Sequence, residues 1–219
     1  MFGLAGLTTL RSVLHESHPS SLRLFEEIHL ERLNRGEVHR IIQVCIEAAN
    51  QRNSDQTIVT DKARDILTTL SEGYPHFIQQ FGYSAFSVDR DGTVDEEDVW
   101  NGAVGVGKGL EAIGDRYYRD NYYNKIGKDS YREVLRIMAD RLDDWVTKQD
   151  IKKRFKGKES VLDNAIQALR ERGIIISKEG EKGVYRLENK GFGLWIKMYT
   201  RPAGQLQKDL APAPGSAAT

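Results

Sequence analysis

The chain of 219 residues balances 32 Lys and Arg against 32 Asp and Glu, with 39% hydrophobic residues and a mean hydropathy of −0.53. Its apolar runs fall far short of the ~20 residues a membrane-spanning helix needs, and the single cysteine, Cys45, excludes an intrachain disulfide framework and a cysteine-based zinc site. The zero balance is a cancellation: residues 1–120 hold 12 basic and 19 acidic residues (−7), whereas residues 121–205 hold 19 and 12 (+7), which predicts two modules with different partners.

Residues 2–10 are mildly apolar without the basic flank or cleavage pattern of a signal peptide, so the expected location is cytoplasmic. The first clear helix follows a capping box, Asn34-Arg35-Gly36-Glu37. Val38, Ile41, Ile42, Cys45 and Ala49 recur at helical spacing, which places Cys45 in the core. A second helix follows Thr60, buries Ala63, Ile66, Leu67 and Leu70, and stops at Gly73. Pro75 opens a third, with Phe77, Ile78, Phe81 and Ala85 inward. A fourth is expected from a second capping box at Thr93-Val94-Asp95-Glu96 through Val99, Ala103, Val106, Leu110 and Ile113. Residues 1–120 therefore read as helices without a sheet.

Beyond them, Tyr131, Val134, Leu135, Met138 and Leu142 mark a helix, residues 148–155 a second, and Val161, Leu162, Ala165, Ile166 and Leu169 a third ending at Gly173. Two β-prone runs, Ile174-Ile175-Ile176 and Val184-Tyr185-Arg186-Leu187, flank a polar glycine-bearing loop, and Phe192, Leu194 and Trp195 close with a further helix. Three helices followed by a hairpin is the order of a winged helix-turn-helix. The expected fold is mainly α: a helical bundle over residues 36–120, then a winged helix-turn-helix domain with a small β-hairpin over residues 121–202. Residues 1–35 form a connector, and the Ala- and Pro-rich residues 203–219 a disordered tail.

Two motifs invite a ligand. Gly102 to Lys108 matches G-x-x-x-x-G-K, but the acidic run Asp95 to Asp98 precedes it and Gly109 stands where a magnesium-binding Ser or Thr belongs. It is read as a helix segment whose glycines allow close packing. Asp89-Arg90-Asp91-Gly92 resembles a calcium loop, yet Ser87 and Asp98 occupy its end positions in place of Asp and Glu, so a solvated loop is expected. The five histidines show no metal-ligand spacing, and no nucleophile elbow or carboxylate pair is present. Neither a metal site nor a catalytic residue is expected.

The strongest binding signal is basic. Lys148, Lys152, Lys153, Lys156 and Lys158, with Arg154 among them, cover the second helix of the second module and the turn after it. Ser160, Asn164, Gln167 and Arg170 are the outward positions of the presumed reading helix, with Lys182 at the wing tip. Duplex DNA and a protein partner both fit, since Asp163, Glu179 and Glu181 interrupt the positive face.

The strings Ala5-Gly6-Leu7, Arg23-Leu24-Phe25, Ile28-His29-Leu30 and Glu72-Gly73-Tyr74-Pro75-His76-Phe77-Ile78-Gln79, followed by the winged-helix pattern, give an order that resembles the C-terminal half of a prokaryotic AAA+/STAND-type P-loop ATPase. Archaeal Orc-like initiator ATPases share that plan of core, helical lid and winged helix. The resemblance implies that the first 35 residues are the end of an ATPase core. It further implies that Arg23 is directed toward a nucleotide and that Gly73, Tyr74 and Pro75 pack near its adenine. ATP or ADP with magnesium would bind only with a core supplied from outside, because the chain lacks a P-loop and an acidic Walker B strand. It is expected to be a C-terminal portion that does not hydrolyse ATP alone. The alternatives are an autonomous winged-helix DNA-binding regulator and a protein–protein adaptor.

Overall fold

The computed structural model describes residues 10–18, 20, 26, 28–142 and 144–200. The chain divides into two units, Met1–Glu31 and Arg32–Thr219. In the first, α1 (Leu10–Ser17) is described, with Val13 exposed. Ala5 to Leu7, Arg23 to Phe25, and the tail from residue 201 lie outside the described residues.

The second unit begins with α2 (Arg35–Asn50), whose Asn34 cap accepts from the Glu37 amide while Glu37 returns to the Asn34 amide, the expected box. Its buried residues are Val38 and Ile42, with Ile46 partly buried. Cys45 is exposed, contrary to the expectation. The helix packs one narrow face on its neighbour α3 (Asp61–Ser71), and the 41–45–49 line falls outside that contact.

α3 ends at the turn described below, and Pro75 starts α4 (Pro75–Phe86). All four expected inward residues of α4 are buried. α5 (Glu96–Ala103) is capped by Asp95 with Asp98 at its third position, two residues later than the box expected at Thr93, because Thr93 and Val94 are strand. That strand, β2 (Thr93–Val94), pairs in parallel with β1 (Ile58–Val59), so this region contains a sheet the sequence pattern does not announce. The Asp89 and Asp91 carboxylates accept from the Asp91, Gly92 and Thr93 amides and hold the loop before β2.

The expected continuous helix from Thr93 to Ile113 is broken. α5 stops at Ala103, Gly105 and Gly107 take φ of 127° and 71°, and Val106 is 91% exposed instead of buried. Such backbone angles are open to glycine and end a helix wherever they occur. Gly102 does pack closely, as a Cβ there would lie 2.5 Å from the Ser84 backbone. α6 (Gly109–Ile113) then runs into two π-helical turns, Gly114–Tyr118 and Asn121–Lys125, marked by amide bonds from Arg119 to Gly114 and from Ile126 to Asn121. Gly114, Tyr118, Tyr122 and Ile126 are buried at a constant spacing of four, which a mixture of α and wider π turns keeps on one face.

The remainder holds α7 (Asp129–Ala139), α8 (Lys148–Arg154), α9 (Glu159–Glu171) and α10 (Lys190–Tyr199). With them goes a three-stranded antiparallel sheet of β3 (Val146–Thr147), β4 (Ile175–Ser177) and β5 (Val184–Leu187) in the order β3-β5-β4. β3 lies between two of the expected helices and is a strand because Val146 and Thr147 pair with Tyr185 and Val184. Val161 is 38% exposed, so the inner face of α9 is Leu162, Ala165, Ile166 and Leu169. The fold is mainly helical with a small antiparallel sheet. α10 packs on α7, α6, the first π turn and α3, burying Phe192, Trp195 and Ile196. Full burial of side chains of this size contributes about 1.5–3 kcal/mol each.

Candidate functional site

Two regions carry the expected site residues. The first is the turn between α3 and α4. Thr60 caps α3 at one end, and at the other Glu72 adopts φ 49°, the sole left-handed non-glycine residue among those described. Gly73 follows with φ 76°, and a Cβ on it would fall 2.1 Å from the Leu33 carbonyl oxygen. The Leu33 amide donates to the Gly73 carbonyl at 3.0 Å, so the segment before α2 lies directly on the turn. Tyr74 and Pro75 complete it, with Pro75 exposed in the first turn of α4.

Side chains that the motif reading overlooks surround this turn. The Arg32 guanidinium lies 4.5 Å over the Tyr74 ring, pairs with Glu188, and sits 3.8 Å from the Glu72 carboxylate. Glu72 accepts the Gly191 amide at 2.6 Å, at the start of α10. Burial raises the Glu72 carboxyl, against the pull of the Gly191 and Lys190 amides and of Arg32. Burial likewise raises the Tyr74 and Tyr118 phenols. The Tyr118 hydroxyl donates to the Asn189 side-chain oxygen at 3.2 Å, and the same oxygen caps α10 through the Phe192 amide at 2.6 Å. On the other flank, His76 contacts Tyr117 ring to ring at 5.4 Å and meets the Arg116 guanidinium at 3.4 Å. The turn thus has an apolar, aromatic wall with cations at its rim. Arg23, the fourth residue expected here, lies outside the described residues.

The second region is the outer face of α8, α9 and the β4–β5 loop. Ser160, Asn164, Gln167 and Arg170 are exposed along α9, and Lys182 is exposed in the loop. The basic run, however, is paired from within. Lys148 bonds Asp163 and lies 3.6 Å from Glu159, Lys152 bonds Glu159 at 2.5 Å, and Lys153 bonds Asp150 at 3.3 Å. Arg154 pairs with Asp140, and Gln167 donates to Glu171 at 2.9 Å. Lys156, Lys158, Arg170 and Lys182 carry no ion pair among the described residues. A helical reading shows the lysines but not these pairs, because the acids that meet Lys148 and Lys152 come from α9.

The glycine-rich loop of the P-loop-like string is closed on itself. The Gly107 amide donates to the Glu111 carboxylate at 2.5 Å, and the Tyr199 hydroxyl donates to the Gly105 carbonyl at 2.9 Å. The Gly107 amide, one of those a phosphate-binding loop would direct at its ligand, is thus taken by a carboxylate of the protein's own. Among the described residues no group of three or more His, Cys, Asp or Glu could hold a metal ion. No described helix is long and apolar enough to cross a membrane. No protein-family model and no curated protein matches the chain.

Proposed function

We propose that the chain is the lid and winged-helix portion of an AAA+/STAND-type ATPase, in which the α3–α4 turn senses a nucleotide held by an external core. The α7–α9 and β3–β5 region is then the winged helix that meets a partner. The observation that carries this reading is the turn itself: glycine-tight backbone on Leu33, an exposed proline ring, and the Arg32, Tyr74, His76 and Arg116 side chains gathered at its edge. A flat base packs against such a wall, and Arg116, which makes no ion pair among the described residues, complements phosphate. The self-closed loop at Gly105 to Gly107 supports placing the nucleotide at the turn instead.

With an ATPase core of this class supplied in trans, magnesium ADP at millimolar concentration should shift the amide resonances of Gly73, Tyr74 and His76 and leave Gly105 to Lys108 in place. Shifts centred on Gly105 to Lys108, or ATP turnover abolished by Lys108→Ala, would overturn the reading. Absence of any shift at the turn removes its nucleotide part.

The internal pairing of Lys148, Lys152 and Lys153 favours a protein partner over duplex DNA, because phosphate contacts need cations that are free to pair.

A further inference from the structure

We infer that the Glu72 carboxylate is a latch that couples the Gly73–Pro75 turn to the first turn of α10. Glu72 holds a left-handed backbone that glutamate rarely adopts, and its side chain is only 12% exposed. That side chain spans to the Gly191 amide, 119 positions along the chain, at 2.6 Å. Arg32 makes the second strand of the connection, stacked on Tyr74 at one end and paired with Glu188, just before α10, at the other. Tyr118 makes the third, bonding the Asn189 cap of α10 while its ring lies 6.1 Å from that of Phe77 in α4.

A glutamate held in an uncommon backbone region persists only while its surroundings hold it. Here the bond to α10 is the side-chain contact that holds it, beside the backbone bonds of the turn to Thr68, Ser71 and Leu33. Opening it frees residue 72 to leave the left-handed region, and the turn then moves with it. α10 in turn buries Phe192, Trp195 and Ile196 against α7 and against the helix that starts at Gly109. A displacement at the turn therefore reaches the packing of the second half of the chain through the Glu72 carboxylate and the two connections beside it. This device goes beyond the nucleotide reading and does not depend on it, since it needs only the turn and α10.

Hydrogen exchange on the full chain tests it. Glu72→Gly accepts the left-handed backbone and removes the carboxylate. It should raise amide exchange over residues 190–195 by roughly tenfold or more, the effect of losing a charge-assisted hydrogen bond, while α9 stays unchanged. Tyr74→Ala should raise exchange in the same stretch of the wild-type chain. In the Glu72→Gly background it should raise exchange further, because the Arg32 connection to Glu188 is still intact there. If Glu72→Gly leaves α10 exchange within twofold, the latch is refuted. Should Glu72→Gly fail to fold, Glu72→Gln decides: a severalfold rise confined to the first turn of α10 supports the latch, and no rise overturns it.

Discussion

Gly73 and Glu72 illustrate how two adjacent residues divide the work of a turn. Gly73 supplies a backbone conformation and a bare surface, with Leu33 backbone where its Cβ would be. Glu72 supplies a contact, accepting a conformational cost to reach Gly191. Gly73→Ala should therefore lose about 1–3 kcal/mol from the backbone alone, seen as a fall of several degrees in Tm, with the clash on Leu33 adding to it. An unchanged Tm would mean that the α2 entry segment yields freely. The glycine stop and the proline start are legible in the sequence because both act locally. The role of Glu72 is not, since its partner is an amide far along the chain. Cys45 shows the same limit from the other side: helical spacing identifies apolar lines on α2, but the number of neighbouring elements decides which line is covered.

Elements whose geometry departs from the α repeat are the ones the periodicity misplaces. The run Val99, Ala103, Val106, Leu110, Ile113 satisfies a helical template, yet the chain breaks within it because Gly105 and Gly107 take angles that a helix cannot. The following segment reverses the lesson. Gly114, Tyr118, Tyr122 and Ile126 recur every four residues, a spacing visible in the sequence but fitted by neither an α stripe nor a strand, and the π turns account for it. Strands β1 and β2, of two residues each, leave no such trace, because only their pairing defines them. Glycine substitutions separate these effects. A Cβ on Gly114 would lie 1.9 Å from the Trp195 indole nitrogen, whereas one on Gly82 in α4 meets nothing within 4 Å. Gly82→Ala should stabilise by about 0.5–1 kcal/mol through helix propensity. Gly114→Ala should destabilise by about 1–3 kcal/mol through overpacking. Denaturant melts of the two variants give opposite shifts in midpoint if the Trp195 contact governs. Stabilisation by both would show that α10 is free to retreat.

For the molecule as a whole, the distribution of charge matters less than its pairing. The sequence displays a basic second half, and the outer face of α9 is exposed where the spacing places it, but the lysines of α8 pair with Asp150, Glu159 and Asp163. Hydrogen bonds from Thr147 and Lys153 hold the Asp150 carboxyl below its usual range, Lys152 does the same for Glu159, and Asp163 raises the Lys148 ammonium. The sign of each shift favours the charged form. The carboxylate contributions are present above the ordinary carboxylate range and fade as pH falls through the lowered values. That of Lys148 is present below its ordinary value and fades as pH rises through the raised one. At neutral pH both members of each pair are therefore charged, and of the cations expected on this face Lys156, Lys158, Arg170 and Lys182 are the ones without an acidic partner among the described residues. With a slope of about −0.9 per phosphate neutralised, these four contribute about −4 to the slope of log K for duplex DNA against log salt. Glu159→Gln combined with Asp163→Asn releases Lys148 and Lys152, and should both tighten DNA binding at low salt and steepen that slope by about two. Fluorescence anisotropy on a labelled duplex across a salt series measures both quantities. A wild-type slope near −6 or steeper, unchanged in the double variant, would mean that DNA opens the internal pairs, and would return the basic face to duplex DNA in place of a protein partner.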